Sequence, residues 1–79
     1  MPYIPMQRRY HARAQPTTPG ELNFAITCLL IKYLDRQGLS YAKINDCVGA
    51  LICAKDEFTR RIVAPYEDAK RAENEDVFP

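Results

Sequence analysis

Between Leu22 and Leu34 ten of thirteen positions are apolar, and this run constrains the fold more than any other feature of the chain. At about 100° per residue, Leu22, Ile26, Leu29, Leu30 and Tyr33 cover one face of a helix, while Phe24, Cys28 and Ile31 cover nearly the opposite one. One partner helix cannot cover both faces. In a chain of only 79 residues, where a single core is barely sufficient, the second cover is expected from another copy. Phe24, Cys28 and Ile31 are therefore candidate oligomer-interface residues.

The ends of this helix are marked. Thr18-Pro19-Gly20-Glu21 has the layout of a capping box, with Thr18 as N-cap, proline at the first helical position and glutamate three residues after the cap. Gly38 supplies a stop after Gln37. Ser40 can cap a second helix running from Tyr41 to Ala64, on which Ile44, Cys47, Val48, Leu51, Ala54, Phe58 and Ile62 fall on one stripe roughly 120° wide. That stripe is expected to pack on the first helix. The short link Gly38-Leu39 implies an antiparallel hairpin. On the back of the second helix Gly49, Ala50 and Cys53 make a small-residue patch that reads either as plain surface or as a close contact with a second subunit. Pro65 predicts a kink, with the helix continuing to about Ala72.

The segment before Thr18 contains Pro2, Pro5 and Pro16 and shows no sustained period, so residues 1–18 read as an extended basic arm. Its Tyr3, Ile4, Met6 and Tyr10 predict that part of it docks on a helical surface. The organisation expected is thus an arm (1–18), a helical hairpin domain (19–72) and an acidic tail (73–79), all-α and assembling as a homo-oligomer.

The net charge of +1 is unevenly placed. Arg8, Arg9 and Arg13 make the N-terminal end basic, and Glu67, Asp68, Glu73, Glu75 and Asp76 outweigh Lys70 and Arg71 at the other. The two ends read as solvated, or as a basic arm lying on an acidic tail of the same or a neighbouring chain. Near-neutrality and the alternation of acids with bases along the second helix disfavour nucleic-acid binding. Cys28, Cys47 and Cys53 are odd in number, lack metal-binding spacing and lie among apolar residues, which predicts small core residues in a reducing compartment. No apolar signal segment or membrane span is evident, so the expected location is the cytoplasm.

Nothing in the sequence assembles a catalytic group. The sole histidine, His11, stands among Arg8, Arg9 and Arg13, and the adjacent pairs Asp56-Glu57 and Glu67-Asp68 point about 100° apart on a helix. No cofactor motif is present, and the chain reads as a non-enzymatic binder. The candidate ligand residues are Arg60 and Arg61, just before the predicted kink, with Tyr66 just after it and Tyr41 at the helix start. Arginine with tyrosine suits a phosphate and a stacked base. The competing reading pairs both arginines with Asp56, Glu57 or Glu67 at helical spacing.

Gly20-Glu21-Leu22-Asn23, Gly38-Leu39-Ser40-Tyr41-Ala42, Ile44-Asn45, Ala54-Lys55, Arg60-Arg61 and Val63-Ala64-Pro65-Tyr66-Glu67-Asp68 resemble a family of short bacteriophage and bacterial proteins with no assigned activity. Met1-Pro2-Tyr3-Ile4 also looks like that family's opening. Glu75 stands where the family's terminal turn has glycine. A phage setting implies action by occupancy in the host cytoplasm, either as a counter-defence sponge for an anionic nucleotide signal or by blocking a host defence protein.

Overall fold

The computed structural model describes residues 4–74, and over that range the protein is helical, without strands. A single 3-10 turn, Met6–Arg8, leads into helix α1, Arg9–Ala14; α2 spans Pro19–Gln37 and α3 Tyr41–Phe58. A π-helical stretch, Thr59–Val63, then joins α3 to α4, Ala64–Asn74. The residues fall into two units, Met1–Cys47 and Val48–Pro79. The expected all-α class holds. Among the described residues no helix is long and apolar enough to cross a membrane.

In the first unit, α2 begins and ends where its sequence marks it. The Thr18 hydroxyl accepts from the Glu21 backbone N–H at 3.1 Å, which satisfies one of the orphan donors of the first turn. The reciprocal half of the box is displaced by one residue. Glu21 accepts from the backbone N–H of Thr17 at 2.9 Å and from its hydroxyl at 3.0 Å, rather than from Thr18. At the other end Gly38 takes a φ of 88°, a value that costs glycine little, and its N–H reaches the Leu34 carbonyl at 2.8 Å. Ser40 caps α3 by accepting from the Lys43 N–H at 3.2 Å.

Two contacts tie the flanks of this turn together. The Tyr33 hydroxyl donates to the Asp46 carboxylate at 3.1 Å, and the Cys47 thiol lies 3.8 Å from the Leu30 carbonyl.

The N-terminal segment corrects the sequence reading. It is not an extended arm: residues 6–14 are helical, with the break falling at Gln15-Pro16. Proline fixes its own φ but disfavours helix mainly at the residue before it, so Pro5 and Pro16 bracket a short helix rather than forbid one. The expected docking does occur. Helix α1 packs on α2, Ala12 is fully buried, and the Ile4 side chain is buried while its carbonyl accepts from Arg9 at 3.1 Å.

In the second unit, where a kink was expected at Pro65, a π-helical stretch precedes the proline and the helix continues beyond it. Pro65 has no N–H, and its ring would strike the carbonyl four residues earlier in a regular α-helix. Widening the turn over Thr59–Val63, where the Ala64 N–H bonds to the Thr59 carbonyl, lets the helix pass the proline without stopping. Helix α4 then runs to Asn74, two residues beyond the expected end.

The apolar stripe on α3 is also corrected. Of its members only Cys47 is buried; Ile44, Val48, Leu51, Phe58 and Ile62 are exposed, the last two at 59% and 55%. The period of an apolar pattern says which side of a helix seeks cover, but not which body supplies it.

Candidate functional site

Three groups of residues are candidates for function, and each is built from a different local cause. The first is the oligomer-interface set. Phe24 and Cys28 are half-buried and Ile31 is exposed on α2. The face they define is not wholly free for another copy, because α1 reaches it: Arg13 and Cys28, with Ile31, Lys32 and Asp35, line an opening of about 300 Å³. Part of the second cover predicted for α2 is therefore supplied by the chain's own N-terminal helix. Gly49 and Cys53 lie exposed on α3, and a Cβ added at Gly49 would meet nothing within 4 Å. The expectation that all three cysteines are core residues fails for Cys53, although each remains a free thiol.

The second group is the arginine–tyrosine set. Arg60 and Arg61 both sit on the π turn, and both turn to one acid: Arg60 pairs with Glu57, and the Arg61 Nε donates to the other oxygen of Glu57 at 2.8 Å. The local pairing expected at helical spacing is thus present. Each guanidinium remains mostly exposed, and such pairs are worth only ~0.2–1 kcal/mol, so Glu57 holds them weakly. Tyr66 is exposed, with the Lys70 ammonium 5.7 Å from its ring centroid. Tyr41 opens α3 in the first unit with its side chain exposed.

The third group was not anticipated from sequence. Between α1 and α2 runs a groove of about 490 Å³, lined by Tyr10 and Arg13 of α1 and by Ile26, Leu29 and Lys32 of α2. Next to it Glu21 anchors α1: buried itself, it pairs with Arg8 at 3.0 Å and receives the two bonds from Thr17. The Thr17 backbone N–H, followed by the Arg8 guanidinium, lowers the Glu21 pKa from its ordinary 4.5 to about 2, against the opposing effect of burial. Near the other end of α2, the hydrogen bond to Asp46 raises the Tyr33 pKa, with burial and the carboxylate charge adding to it. Sequence reasoning assigned Glu21 only a capping role. Its partner Arg8 lies thirteen residues away, beyond any local spacing rule.

Compared with protein families, residues 1–77 match the model of a domain of unknown function, DUF6899. The chain belongs to this family. No curated protein and no solved structure matches it. The family therefore brings a boundary, nearly the whole chain, and no activity, so the DUF6899 domain has to be read from its own surfaces.

Proposed function

We propose that this DUF6899 chain is a non-enzymatic binding protein that works as a homo-oligomer, with α2 and α3 forming an antiparallel hairpin whose apolar faces are covered by other copies. The observation that carries this reading is the exposure of Leu22, Leu29 and Ile31 on α2, of Val48, Leu51 and Phe58 on α3, and of Ile62 on the π turn. Fully burying a side chain of this size is worth about 1.5–3 kcal/mol, so leaving this many in water forfeits more than a small domain can spare. Large apolar side chains exposed in this number are what an interaction site would cover. Native mass spectrometry of protein purified from cells tests the proposal: the expected spectrum contains multiples of the 9.1 kDa chain, and any retained ligand or partner is weighed with them.

A second reading concerns what the assembly binds. Arg60 and Arg61 both lie on the π turn, and π turns recur at functional sites. Convergent copies of Arg60 and Arg61, with Tyr66 or Tyr41 stacking, would hold an anionic nucleotide, as a cytoplasmic phage-type sponge requires. A thermal-shift panel of cyclic di- and trinucleotides should contain one that raises the melting temperature of wild type but not of Arg60→Ala or Arg61→Ala. A flat panel with an intact oligomer favours instead a protein-partner inhibitor or adaptor, recovered stoichiometrically from host lysate.

A further inference from the structure

The groove between α1 and α2 combines an apolar lining with uncompensated positive charge. Tyr10, Ile26 and Leu29 are exposed apolar side chains along it, and Arg13 and Lys32 line it with them. Arg8, Lys43, Lys55, Arg60, Arg61, Lys70 and Arg71 each pair with an acid, whereas among the described residues Arg13 and Lys32, like Arg9 and Arg36, which do not line the groove, make no ion pair. Asp35 shares the adjoining opening and leaves the lining net positive. A volume of about 490 Å³ falls within the ~300–1,000 Å³ common for ligand clefts. A suitable occupant is a short segment that carries acids immediately next to large apolar side chains.

The chain contains one such segment outside the described residues: Glu75-Asp76-Val77-Phe78. Its two acids match the two cations that line the groove without an ion pair, and Val77 and Phe78 match the apolar lining. We infer that the α1–α2 groove is a docking site for the C-terminal segment of a second copy, with Glu75 and Asp76 against Arg13 and Lys32 and with Phe78 between Tyr10 and Leu29. Exchange of this kind gives each copy both a donor segment and an acceptor groove, so the contact can close a symmetric dimer or propagate around a ring. The inference rests on the proposed self-association but uses a different surface from the α3 stripe.

The test uses full-length chains carrying a photo-crosslinking phenylalanine analogue at position 78, prepared in light and heavy isotope forms and mixed. The expected products are heavy–light pairs joined at peptides containing Tyr10, Ile26 or Leu29. Reversing the charge of the lining with Arg13→Glu and Lys32→Glu should lower their yield about tenfold, and adding Glu75→Lys and Asp76→Lys should restore it. Helicity of each variant is checked by circular dichroism. Crosslinks confined to chains of one isotope, mapped to residues outside the groove, or insensitive to charge reversal would overturn the inference. The mass of each sample separates the two levels: an oligomer without groove crosslinks removes this docking site and leaves self-association standing, while a monomer at every concentration removes both.

Discussion

The two units of the chain solve the burial problem differently. In the first, α1 folds back on α2, and the buried residues of the described range, Ile4, Ala12, Glu21 and Cys47, all belong to it. In the second, no described residue is buried, although Val48, Leu51, Ile52, Phe58 and Ile62 are as apolar as anything in the first. The first unit is closed by contacts distant in sequence but internal to the chain. The second is a helix held by its own backbone ladder and by surface ion pairs, which together are too weak to explain its apolar composition. The contrast teaches that the first unit buries a few side chains against itself while still exposing Leu22, Leu29 and Ile31, whereas the second buries none of its described residues.

The largest expected effect comes from charging that surface. If the stripe on α3 is covered in the assembly, Phe58→Asp buries an unpaired carboxylate and costs several kcal/mol, read as dissociation or a collapsed melting temperature. If the stripe is plain surface, the same change stays within about 0.5 kcal/mol. Next in size is Ala12→Leu. Ala12 has no exposed area, so added methylenes must displace α1 from α2, at a cost of about 1–3 kcal/mol measured by denaturant unfolding. Removing the helix cap with Thr18→Ala should cost about 1 kcal/mol, because the Glu21 N–H loses its acceptor as α2 begins.

A pH titration sharpens the comparison from the other direction. Because the folded chain holds Glu21 at about 2 rather than the ordinary 4.5, its contribution is fully present above about 4.5 and is lost as pH falls toward 2. Acid should therefore loosen α1 from α2 over that window, and Glu21→Gln should flatten this part of the profile. The smallest effect is expected at Arg61→Ala: removing one exposed partner of Glu57 should shift stability by no more than ~0.5 kcal/mol in the absence of ligand.

How much of this was legible in the sequence follows from the range of each interaction. The caps at Thr18, Gly38 and Ser40, the helix runs and the disturbance before Pro65 are set within four or five residues, and the structure places them as expected. The pairing of Arg60 and Arg61 with Glu57 is equally local and was one of the two readings weighed. What escaped depends on distance along the chain. The short helix Arg9–Ala14 is too brief to show a period, and its anchor joins Arg8 to Glu21 across a proline-containing break. The docking of this segment was legible in its apolar residues, but the groove it leaves depends on where it docks, which no local spacing specifies. The stripe on α3 was expected to pack on α2 and is instead exposed, because periodicity identifies an apolar face but not the body that covers it.

The central claim is that the apolar faces left open by the single chain are closed by other copies. Sedimentation equilibrium across micromolar concentrations tests it most directly, because mass is read without assuming a shape. The account predicts an integral multiple of 9.1 kDa that persists on dilution and falls toward the single-chain mass in Phe58→Asp. A wild-type chain that sediments at 9.1 kDa at every concentration while unfolding cooperatively would contradict it.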